Sequence, residues 1–160
     1  MIGTHPTVGC LILLEKASFT SVEDVLQSLG AVIPIRERSR PNTAPLGGEA
    51  TLGGGMHPMI AWAEDVGDMA AVHLDFDEDE VMRVGQAARL SVEQLFMPYV
   101  QAAKTIPGVL AIGVGFEVSS PADLRQSSLQ EAGAAVVFAR DEKHKSWLRQ
   151  ENLPLAGHYS

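Results

Sequence analysis

Two stretches of this chain, Ala71–Phe76 and Val109–Val118, alternate in side-chain character with a period of two, and this alternation constrains the fold more than any other feature. Successive side chains of an extended strand point to opposite sides. In the first stretch Val72, Leu74 and Phe76 share one face, and Ala71, His73 and Asp75 the other. In the second, Leu110, Ile112, Val114, Phe116 and Val118 stand opposite Val109, Ala111, Gly113, Gly115 and Glu117. One face of each strand is bulky and apolar, and the other is small or polar. That asymmetry predicts a sheet covered by helices on one side, with the small face left open to water, a ligand or another protein.

The segment between the two strands carries the matching helical stripe. Val92, Leu95, Phe96, Tyr99, Val100 and Ala103 recur at the i, i+3, i+4 spacing of a core-facing helix that ends near Lys104. Ser91 with Gln94 three residues on has the form of a capping box. Pro98 falls inside the stripe, where a proline kinks a helix or marks the junction of two segments.

The rest of the chain supplies further strands and helices. Val8–Glu15 is a near-continuous apolar run, as in a central strand buried on both faces. Thr20 or Ser21 opens a helix whose stripe is Val22, Val25, Leu26 and Leu29, and Gly30 ends it. Ala31–Arg38 follows as a strand placed at an edge by Pro34. The glycine- and proline-rich stretch 41–55 reads as a flexible loop, with hairpin character in its glycine run. Ile60–Ala63 is a strand, with Trp62 packing partly into the core, and Glu64–Asp68 is the turn back to Ala71. Pro121 suits the first position of a helix running to about Glu131. Ala134–Ala139 is a last strand, Asp141–Gln150 a charged helix docked through Trp147 and Leu148, and 151–160 an extended tail. The element order is roughly βαβββαβαβα. The fold class expected is a single α+β domain over residues 1–160, with a mixed or mostly antiparallel sheet and helices packed mainly on one face.

Composition narrows the function. The 160 residues are 46% hydrophobic and 20% charged, with a net charge of -8 and a pI near 5.0. An acidic field of this kind repels phosphates, so nucleic acid is not an expected partner, whereas a basic protein is. One cysteine allows no internal disulfide, which suits a reducing cytoplasm. No segment has the apolar length of a membrane span and none has the pattern of a secretory leader, so no membrane association is expected.

The residues that carry chemistry form few constellations. Gly53–Gly55 lacks the Lys-Ser/Thr ending of a phosphate loop, and Gly113-Val114-Gly115 lacks the third glycine of a dinucleotide fingerprint. His57 between Met56 and Met59 has no further ligand at metal-site spacing and reads as a loop histidine beside core methionines. Cys10 lies in the buried run, as a small hydrophobe. Arg36, Arg38 and Arg40 share a face if the strand continues, as an anion clamp or a charge-protected edge. The cluster Asp77, Glu78, Asp79 and Glu80 lacks the central glycine of a calcium loop, and Asp77 fits an N-cap with carboxylates in the first turn. His73 and Asp75 share the small face, and Glu117 joins them if the two strands are neighbours. No catalytic residue, cofactor or metal is expected.

Two readings remain. The first is a non-enzymatic protein-binding protein, a small acidic cytoplasmic inhibitor of the immunity-protein type that neutralises a toxin or enzyme. Its contact residues are Asp77, Glu78, Asp79, Glu80, His73, Asp75 and Glu117. The second is a small-molecule enzyme or ligand-binding domain around His73, Asp75 and Glu117. A deep pocket beside His73 favours the second and a shallow acidic surface the first.

Overall fold

The computed structural model describes residues 7–30, 46–116, 134–141 and 146–151. In chain order these form β1 (Thr7–Glu15), a short 3-10 turn (Lys16–Ser18), α1 (Val22–Ser28), β2 (Leu46–Leu52), β3 (Gly55–Val66) and β4 (Met69–Asp77). Then come α2 (Glu78–Ala88), α3 (Val92–Ala103), β5 (Val109–Phe116), β6 (Ala134–Asp141) and β7 (Ser146–Glu151). The seven strands make one sheet in the order β2-β3-β4-β1-β5-β6-β7, and each neighbouring pair is antiparallel. This is a single-domain α+β fold.

β1 lies in the middle, between β4 and β5, which is where an apolar run with no polar face has to go. Its Val8, Cys10, Ile12 and Leu14 enter one large core with Val72, Leu74 and Phe76 of β4 and with Ile112 and Val114 of β5. All three helices deliver their stripes to that same core: Val22, Val25 and Leu26 from α1, Val81 from α2, and Val92, Leu95, Phe96, Tyr99, Val100 and Ala103 from α3. Each large apolar side chain buried this way contributes roughly 1.5–3 kcal/mol relative to an exposed one. Phe76 and Phe96 meet edge to face with centroids 5.6 Å apart, joining strand to helix.

The caps follow local sequence. Ser21 accepts from the Asp24 amide, Asp77 accepts from the Glu80 amide, and Ser91 and Gln94 form a complete capping box. The helical region divides at Arg89, which is left-handed (φ 59°), and not at Pro98. Gly85 makes the division possible, because a Cβ there would come within 2.9 Å of the Leu90 carbonyl that packs over it. Pro98 sits inside α3 on its exposed side, where water can solvate the Gln94 carbonyl that the proline leaves unbonded.

Several expectations change. Within 41–55, residues Leu46–Leu52 are β2 rather than loop, and Gly53 and Gly54, both with positive φ, form the two-residue hairpin turn into β3. Leu46, Ala50 and Leu52 reach the main core, and Tyr99 of α3 donates its hydroxyl hydrogen bond to the Thr51 carbonyl, so packing and a backbone contact hold this glycine-rich strand. β3 is longer than Ile60–Ala63, and the turn to β4 is confined to Gly67–Asp68. The stretch read as a charged helix, Asp141–Gln150, instead contains the edge strand β7, paired with β6. Charged side chains suit an edge, and Arg149 is held by Glu93 of α3. Trp147 packs against the main core, whereas Leu148 stays exposed. A register shift where β5 starts sends Val109, not Leu110, to the helix side.

The small face is not open at its centre. Leu11, Leu13, Ala71, Ala111 and Val137 form a second buried cluster there. The strand read at Ala31–Arg38, the arginines Arg36, Arg38 and Arg40, the helix from Pro121 to Glu131, Glu117 and the tail beyond Glu151 lie outside the described residues.

Candidate functional site

The register between β3 and β4 sets Trp62 opposite His73, Ile60 opposite Asp75 and Glu64 opposite Ala71. All six side chains project from the face away from the helices. The His73 ring lies flat on the indole, with centroids 3.7 Å apart and planes at 3°. Its Nε2 is 3.0 Å from Oε2 of Glu64, a carboxylate that can only accept, so the ring donates from Nε2. The indole Nε1 donates in turn to Oδ2 of Asp75 at 3.3 Å. Two carboxylates thus hold the two ends of one stacked pair.

His73 is only 2% exposed. Burial pushes its pKa down, and the nearby Glu64 carboxylate offsets only part of that, so the imidazole is neutral at pH 7. The expectation of a solvated polar face around His73 is therefore overturned: with one ring face on Trp62 and Nε2 on Glu64, the histidine belongs to the packing. His73 and Asp75 do share a neighbourhood, linked through Trp62. Trp62 and Glu64 are the partners that sequence reading missed. Their signal was parity, since residues 60, 62 and 64 line up once β3 extends past Ala63.

The acidic turn is built differently. Asp77 caps α2. Glu80 bonds Nδ1 of His57 at 2.9 Å and also pairs with Arg83. Partial desolvation raises the Glu80 pKa, but the bonds from His57 and Arg83 outweigh it and hold the carboxyl below its usual range. His57 is thus a strand residue that ties β3 to α2, not a loop residue, and of its neighbouring methionines only Met59 is buried. Glu78 and Asp79 have no ion-pair partner among the described residues.

Cys10 is fully buried, and burial followed by the nearby Asp75 charge drives its thiol pKa far up, so the thiol is inert. Among the described residues no group of three His, Cys, Asp or Glu side chains could hold a metal ion. A cavity of about 410 Å³ lies between α2 and α3, lined by Val81, Met82, Leu90 and Val92 with Gln86 and Arg89. It is on the helix side of the sheet, away from His73. Among the described residues no helix is long and apolar enough to cross a membrane. Compared with protein families, with curated proteins and with solved structures, the chain finds no match.

Proposed function

We propose that this chain is a non-enzymatic protein-binding protein of the cytoplasm, a small acidic inhibitor of the immunity-protein type that neutralises a basic toxin or enzyme by binding it. The observation that carries this reading is the division of labour in the first turn of α2. Asp77 is used as the cap and Glu80 as an anchor for His57 and Arg83, while half-buried Glu78 and exposed Asp79 have no ion-pair partner among the described residues. On a chain of net charge -8, such a turn attracts Lys and Arg on a partner and speeds encounter by steering. His73, at 2% exposed, has no surface to offer, so it supports the strand pair behind the contact. The competing small-molecule reading is weakened by the same burial and by a cavity that lies on the other side of the sheet.

The test is affinity capture at low salt followed by kinetics. A partner held by the wild type should associate about tenfold more slowly with a Glu78→Gln, Asp79→Asn variant, and with a shallower salt dependence. Equal association rates for the two proteins at low ionic strength would overturn the acidic-turn reading.

A further inference from the structure

The face that carries Trp62 continues along β3 as an apolar stripe toward the hairpin. Met56, Pro58 and Ile60 occupy successive same-face positions over roughly 13 Å of strand. Met56 is 45% exposed and Ile60 55%, and Pro58 is exposed as well. Single exposed apolar side chains are ordinary on a protein surface, but a contiguous run of them is the mark of a contact surface. The described helices α1, α2 and α3 lie on the other side, where Met59, Ala61 and Ala63 from the alternate positions join their core.

Two features shape the stripe. Gly47 of β2 stands opposite Ile60 in the register, exposed, and a Cβ built on it meets nothing within 4 Å. The missing side chain leaves a notch beside Ile60, about one strand spacing (~4.8 Å) across. The borders are acidic. Glu49 stands opposite Pro58, exposed and with no ion-pair partner among the described residues, and the Glu64 carboxylate, 36% exposed, closes the far end beyond Trp62. Apolar floor and anionic rim together complement a segment that is apolar on one side and basic on the other. They disfavour a second copy of this chain, which would bring Glu49 and Glu64 of one protomer against carboxylates of the other.

We infer that the Met56–Pro58–Ile60 stripe is a docking surface for a basic amphipathic segment of a protein partner, with an apolar side chain seated over Gly47 beside Ile60 and Lys or Arg reaching Glu49. The inference rests on the protein-binding reading for the kind of ligand, but not on the acidic turn of α2.

The experiment titrates the full chain with a fluorescent synthetic helix of Leu and Lys, and with Leu/Glu and Ser/Lys counterparts, at physiological salt. The Leu/Lys peptide should bind at least about tenfold tighter than either counterpart. Gly47→Leu puts a side chain into the notch, where a Cβ meets nothing within 4 Å, and Ile60→Ser removes the apolar contact. Each should weaken Leu/Lys binding about tenfold with the thermal midpoint retained, and Glu49→Lys should weaken it as well. Equal binding of the Ser/Lys peptide, or full affinity in both Gly47→Leu and Ile60→Ser, overturns the inference. So does a wild-type dimer in sedimentation that Ile60→Ser dissociates, because the stripe would then be an interface between copies. A Glu78→Gln, Asp79→Asn variant separates the two surfaces. Binding lost there but kept in Gly47→Leu sinks the stripe and leaves the acidic turn standing; the reverse pattern does the opposite.

Discussion

The imidazole of His73 lies parallel to the indole of Trp62, 3.7 Å away, and each ring passes a hydrogen bond to a different carboxylate, Glu64 and Asp75. The arrangement joins β3 and β4 through side chains as well as through their ladder. Cross-strand aromatic pairs add about 0.2–1 kcal/mol to a sheet. Here the pair also decides which protonation state the fold tolerates.

That state gives a pH dependence. His73 has its pKa lowered in the folded protein from the ordinary 6.5, first by burial, so the unfolded chain takes up the proton at higher pH than the folded one. With more protons on the unfolded state, stability rises with pH. The contribution is intact above about pH 6.5 and is lost as pH falls below it, levelling off under the folded-state pKa. His73→Gln, neutral throughout and still able to donate to Glu64, should lose less stability than wild type between neutral and mildly acidic pH. Urea unfolding at a series of pH values checks this, and parallel curves for the two proteins would sink it.

Glu64 supports the pair from the rim of the site. Glu64→Ala leaves the His73 Nε2–H without its acceptor and should cost about 1–2 kcal/mol, while Glu64→Gln retains an acceptor and should cost less. Chemical denaturation of the two variants gives the comparison, and an equal loss in both would show that the hydrogen bond is not the cause.

At Gly9, β1 passes close to β4. A Cβ there would fall on the Leu74 carbonyl oxygen and on Oδ1 of Asp75, both parts of the opposing strand. Gly9→Ala should therefore cost about 3 kcal/mol, at the upper end for overpacking, and disturb the Trp62–Asp75 bond. Unfolding midpoint and Trp62 emission report the two effects, and a midpoint equal to wild type would refute the close approach.

Phe96 is fully buried at the contact of α3 with β4. Phe96→Ala should cost roughly 3–5 kcal/mol, as for other core aromatics. Met at the same position should restore most of the loss. A loss under about 1 kcal/mol for the alanine variant would mean that the stripe of α3 does not anchor the core.

What the sequence determined by itself is what depends on neighbours within a few residues. The caps at Asp77 and at Ser91 with Gln94, a cap at Thr20 or Ser21 that falls on Ser21, the central place of Val8–Glu15, and the split of His73 and Asp75 from Val72, Leu74 and Phe76 were all legible, because each follows from local hydrogen bonding or from the side-chain pattern along the segment. The tertiary structure decided the rest. Ser146–Glu151 is a strand because the edge of β6 is there to pair with it, and no local pattern contains that edge. Glu64 looked like a turn carboxylate until the two-residue turn at Gly67–Asp68 fixed the β3–β4 register and set it beside His73. The closure of the small face over Leu11, Leu13 and Ala71 is likewise a matter of what packs there. Side-chain alternation tells which way a residue points, but the ladder alone decides what it meets.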